Sequence, residues 1–148
     1  MDIRTAETAD IESLVDFNQK MALETEGKQI DHIVLQRGVR AVFNDDGKGF
    51  YVVTEEEDVI LGGLMVTFEW SDWRDKWFWW IQSVYIVPEA RGRGIYRQMY
   101  EFVKDKAKEN GKVCGFRLYV EKDNLSAQGV YERVGMEASH YIMFEEND

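Results

Sequence analysis

The chain has one cysteine, Cys114, and one proline, Pro88, in 148 residues. A lone thiol excludes an intramolecular disulfide and any cysteine-rich zinc site, and no metal is expected. Apolar runs are short: none approaches the roughly 20 residues that cross a bilayer. The polar opening Met1-Asp2-Ile3-Arg4 lacks the apolar segment of a signal peptide, so the expected compartment is the cytoplasm. Basic residues are in deficit, 18 against 28 acidic, for a net charge of −10. That surface repels nucleic acid phosphates and anionic membranes, and neither is an expected partner. It attracts cations, protonated amines among them, although much of the surplus acid sits in Glu55-Glu56-Glu57-Asp58 and the tail from Glu145 and reads as a solvated turn and end. Two nucleotide-binding signatures are absent: Gly-Lys-Ser/Thr and Gly-x-Gly-x-x-Gly. There is no repeat, linker or low-complexity tract, so residues 1–148 read as a single domain.

What the chain does have is core material, 45% hydrophobic and 14% aromatic residues, which argues against disorder. Asp2 to Ala6 reads as a first strand. Thr8 or Asp10 caps a helix running to about Glu24 and ended by Gly27. A second helix is expected from about Asp31 to Phe43. Three strands follow at Phe50–Thr54, Val59–Trp70 and Trp77–Val87, the last two forming a long hairpin around Ser71 to Lys76. After Pro88 the period becomes helical through Ile95, Met99, Val103 and Ala107 and stops at Asn110-Gly111. Cys114, Phe116, Leu118 and Val120 alternate as a strand, and this makes Cys114 an inward-facing residue rather than a nucleophile. Ala127, Val130, Tyr131 and Val134 form a last helical stripe, closed by Gly135. Ser139 to Phe144 reads as a final strand.

The most informative stretch runs from Val84-Tyr85-Ile86 through Pro88 to Arg91-Gly92-Arg93-Gly94-Ile95-Tyr96. A strand enters a glycine-containing turn that opens a helix, so free N–H groups and a helix dipole point into the turn. Two glycines permit close approach of an anion, and Arg91 and Arg93 add charge; a pyrophosphate fits. This segment resembles the acetyl-CoA signature of the GNAT superfamily of N-acetyltransferases, Gln/Arg-x-x-Gly-x-Gly/Ala, with Tyr96 standing where Gly or Ala is usual and crowding one side of the turn. Downstream, Asn124, Ala127, Tyr131, Gly135 and Met136 resemble the second GNAT signature, Asn-x-x-Ala-x-x-x-Tyr-x-x-x-Gly-Phe/Met.

The resemblance implies an α/β (α+β) fold, a mixed and mostly antiparallel sheet of six to seven strands flanked by about four helices. It implies acetyl-CoA as co-substrate. Gly92, Arg93, Gly94, Ile95, Tyr96 and Arg97 would cradle the pyrophosphate with Arg91. Val84, Tyr85 and Ile86 would pair with the pantetheine arm like an added strand. Asn124 reads either as a helix cap or as a ligand of that arm, and Tyr131 either as core or as the general acid that protonates the departing thiolate. Attack by the amine is expected to be direct, with a backbone N–H of the splayed strand stabilising the oxyanion. The base is not marked by any motif: Glu121, Glu69 and Asp72 are the acids at strand ends, and His32 and His140 lie away from both signatures.

All five tryptophans fall between Phe68 and Trp80, divided among core, a dimer interface and an acceptor pocket, so a homodimer is admitted. An aromatic wall with acids nearby suits a cationic acceptor; Trp73 and Glu69 are its candidates. The hairpin resembles that of polyamine and thialysine acetyltransferases, but Gln82 and Ser83 replace their Glu-Asp pair and favour a less charged amine. The leading function is N-acetylation of a small-molecule primary amine. A protein lysine or N-terminus is the rival acceptor, and a non-catalytic acyl-CoA-binding protein is the rival class.

Overall fold

A computed structural model describes residues 1–148. The order is β1 (Asp2–Thr5), α1 (Ile11–Glu26), α2 (His32–Asn44), β2 (Phe50–Glu56), β3 (Val59–Ser71), β4 (Lys76–Ile86), α3 (Ile95–Asn110), β5 (Val113–Leu118) and α4 (Leu125–Arg133). The five strands form one sheet in chain order, antiparallel except for the parallel β4–β5 pair. That parallel pair follows from the connection: the α3 crossover carries the chain back to the same end of the sheet.

Each face of the sheet buries a helical stripe. On one face α3 contributes Ile95, Met99 and Val103, spaced by helical turns, against Val52, Leu64, Val66, Trp79 and Ile81. On the other, Ile11, Leu14 and Val15 of α1 and Val39 of α2 meet Tyr51 and Val53. Successive residues of β2 thus serve opposite faces, the period of a strand covered on both sides. The helix ends follow capping chemistry: the Asp31 carboxylate accepts from Ile33 and Val34 N–H, both at 3.0 Å, and Gly27 closes α1 in the left-handed region.

Two expectations are corrected. The sheet has five strands rather than six or seven, and Ser139–Phe144 is not a strand. Its alternating residues resemble one, but a strand also needs an edge to take its N–H and C=O groups. No backbone bond joins this segment to β5; its Tyr141 N–H turns back to Ser139 Oγ at 3.2 Å, and Tyr141, Ile142 and Phe144 stay exposed. The start of α1 also differs. Asp10 does not cap by its side chain; it and Glu7 form a reciprocal capping box around a turn of 3-10 helix at Thr8–Asp10.

Candidate active site

The site is made where two neighbouring strands part. β4 and β5 stay paired only to Ile81↔Leu118, whereas β4 continues beside β3 as far as Gly62↔Ile86. From Gln82 to Ile86, then, no strand pairs with the β5 side of β4. Inside this stretch Ser83 has φ +52, and the register with β3 shifts between Gly63 and Met65. Such a bulge reverses which residues face which side. Before it, Trp79 and Ile81 face α3; after it, Val84 and Ile86 do, and Tyr85 turns to α1, where its ring lies 5.2 Å from that of Phe17.

The chain then enters the turn ahead of α3. Gly92 and Gly94 have φ of +82 and +74, left-handed values that favour glycine, and the space beside both is open. The N–H groups of residues 92 to 97 bond to no acceptor in the protein; the first bond of this region is Gln98 N–H to Gly94 O at 3.1 Å. Six consecutive free donors at a helix start suit an anion by geometry and dipole alike. Tyr96 does not crowd it. Its side chain turns inward, 6% exposed, stacking on Tyr100 and meeting Tyr131 edge-on at 5.3 Å. That corrects the expectation from its position in the motif.

The arginines of the turn are already engaged. Arg91 donates to Ile86 O at 2.8 Å and to Glu24 at 3.0 Å, and Tyr85 Oη donates to the other oxygen of Glu24 at 3.2 Å. Arg93 pairs with Glu56 at 2.8 Å, and Arg97 caps α4 through Arg133 O at 2.9 Å. Glu24 was not marked by any motif; only its place one turn before Gly27 hinted that α1 ends near this turn. Asn124 Oδ1 caps α4 by accepting from Ala127 N–H at 3.0 Å, with its amide nitrogen left over. Tyr131 is half-buried against the α3 core, and burial raises its phenol above the ordinary value, so it stays protonated at neutral pH.

On the α1 side of the sheet the residues expected to meet the acceptor form a bonded floor. Gln82 Nε2 donates to Thr67 Oγ1 at 2.6 Å. Glu69 Oε1 accepts from Trp80 Nε1 and from Arg117 Nη1, both at 2.9 Å, so its charge is already paired with a guanidinium. Trp80 and Tyr119 pack at 4.5 Å between ring centres. Trp73, 90% exposed, stands in the β3–β4 turn at the margin of that floor. Glu121 lies past the end of β5 with its carboxylate unpaired.

The family model for the Acetyltransferase (GNAT) family matches residues 12–136. The chain belongs to the GNAT family. It is an acetyl-CoA-dependent N-acetyltransferase of the GNAT type, and its fold is the mixed α/β fold of that family. A crystal structure of a possible acetyltransferase from Clostridium difficile 630 is 40% identical, covering 99% of this chain and 97% of that one, with a TM-score of 0.92. The uncharacterized N-acetyltransferase YhfO of Bacillus subtilis (strain 168) is 25% identical over 97% of both chains. A predicted acetyltransferase from Clostridium acetobutylicum, solved with acetyl-CoA, shares the fold at 19% identity and a TM-score of 0.79 over 98% of this chain and 95% of its own.

Proposed function

We propose that this GNAT chain acetylates a primary amine of a small molecule, holding acetyl-CoA across the gap between β4 and β5. The observation that carries the reading is the row of unbonded N–H groups at residues 92 to 97, set directly beyond an unpaired β4 edge. A diphosphate satisfies the first and an extended amide-bearing arm satisfies the second. The co-substrate supplies an acetyl group already activated as a thioester. Gly92, Arg93, Gly94, Ile95, Tyr96 and Arg97 hold the diphosphate through backbone donors. Arg91 and Arg93, tied to Glu24 and Glu56, shape the turn and moderate its charge. Val84, Tyr85 and Ile86 align the arm, and the free amide of Asn124 bonds it.

A neutral amine attacks directly, so the ammonium must first lose its proton. Glu69 is the weaker base because its ion pair with Arg117 and its bond from Trp80 favour the charged form, whereas Glu121 keeps its carboxylate unpaired and is assigned that proton, through water where needed. Tyr131, protonated at neutral pH, gives its proton to the leaving sulfur. Donors on the unpaired β4 edge meet the developing oxyanion.

An amine-library screen following thiol release from acetyl-CoA identifies the acceptor. With it, Tyr131→Phe should lower turnover about 100-fold, the low end for a lost general acid, with coenzyme affinity nearly unchanged by calorimetry. Equal turnover at every pH would remove Tyr131 from the chemistry.

A further inference from the structure

Phe78 is only 8% exposed, and what covers its ring is charge. The Arg117 guanidinium carbon lies 3.6 Å from the ring centroid and that of Arg74 lies 5.1 Å from it. The two cations can be no farther apart than those two lengths end to end, and at that range they repel. Glu69 offsets Arg117 through its 2.9 Å bond. Arg74 has no acid within 4.0 Å, although Asp72 and Asp75 sit beside it in the same turn. Arg74 thus holds its guanidinium over a buried ring without an ion-pair partner.

The location gives that charge a use. Arg74 and Arg117 line an open pocket of about 280 Å³ with Glu69, Asp72, Trp73 and Phe78. Its floor is the same sheet face that carries Trp80 and Gln82 toward the gap between β4 and β5. Gly115 makes room for the Phe78 ring: a Cβ there would lie 2.8 Å from Phe78 Cε1. A guanidinium that is face-on to an aromatic ring keeps its N–H edge available for a second partner, and the fork fits a carboxylate. Asp72 shares the lining but makes no direct ion pair with either arginine, which leaves the N–H edge of Arg74 open.

We infer that the pocket binds a carboxylate of the acceptor, which makes the substrate an amine carrying its acid at the end remote from the reacting nitrogen. The inference rests on the acetyltransferase reading for the identity of that nitrogen. Phe78 stands four residues before Gln82 along β4, about 13 Å at the rise of a strand. Arg117, paired with Trp80 in register, shortens the span by about half. The amine and carboxylate of a fitting acceptor are therefore separated by roughly 7–13 Å.

The test uses ω-amino acids of increasing length, each against its own carboxamide, so that paired members differ by one charge. Binding to the CoA-saturated protein is read from tryptophan fluorescence, since Trp70 and Trp73 line the pocket, and acetylation is read by thiol release. Acids of matching length should bind about tenfold tighter than their amides, in the range of one charged hydrogen bond. Arg74→Ala should bring that ratio close to one, and Arg74→Lys should keep part of it. A ratio near one in the native protein, no binding by either member, or a tenfold ratio that survives Arg74→Ala would overturn the pocket assignment. Tight binding of acids without thiol release from any pair would instead sustain the pocket and refute the small primary amine as acceptor of the acetyl group.

Discussion

The Tyr96 hydroxyl is enclosed in the α3 core with no hydrogen-bond partner, and burial drives its pKa upward. An unsatisfied buried hydroxyl costs about 1–3 kcal/mol, whereas a phenyl of the same shape costs nothing of that kind. Tyr96→Phe should therefore stabilise the free protein by about 1 kcal/mol, raising the melting temperature by about 2–4 °C, as calorimetry can read. A lower melting temperature would show that the hydroxyl has a bonding partner after all. The inward turn of this side chain was legible in principle. Tyr96, Tyr100, Val103 and Ala107 follow the spacing of one helical face and all are buried. The family motif drew attention to the turn instead, and a residue two places into a helix belongs to both. The fate of Arg91 had no such signal, because its partner Glu24 lies 67 residues away and no local pattern joins them.

At the level of elements, the turn before α3 and the one after it offer a matched pair. Gly94 and Gly111 flank the same helix with φ of +74 and +78, and neither has an atom within 4 Å of where a Cβ would stand. Alanine at either position meets the same backbone penalty, about 1–2 kcal/mol for a left-handed residue. Only Gly94 belongs to the row of free donors. Gly94→Ala and Gly111→Ala should thus lose similar stability by chemical denaturation, while CoA affinity falls about tenfold for the first alone. Equal losses of affinity would move the diphosphate away from this turn. Elements were easy to read where both periodicity and punctuation agreed: α3 runs from the glycine turn to Asn110, and α2 begins one residue past Asp31. The segment Ser139–Phe144 had the alternation without a partner edge, and pairing is a property of two segments that neither displays alone.

Across the whole molecule, Arg4 fastens the N-terminal strand to both sides of the fold. It donates to Asp10 at 2.8 and 3.0 Å, ahead of α1, and to Glu55 of β2 at 3.1 Å. Burial by itself would push the Asp10 carboxyl up, but the bonds from Arg4 and from Glu7 N–H outweigh it and hold the group below its usual range. Asp in an unfolded chain titrates near 3.9. Because the folded value is lower, the contribution of this pair is complete above that pH and is lost as pH falls through the folded value. Asp10 is almost fully buried while the Arg4 side chain is 24% exposed, so breaking the pair should cost about 2 kcal/mol, short of the roughly 3–5 expected in full burial. Arg4→Ala should therefore unfold earlier in urea at pH 7, and the gap to the native protein should narrow below about pH 4 as Asp10 becomes neutral in both. A gap of constant size from pH 7 to pH 3 would mean that Arg4 acts through packing of its stem, and the joint between β1 and α1 would then be apolar in origin.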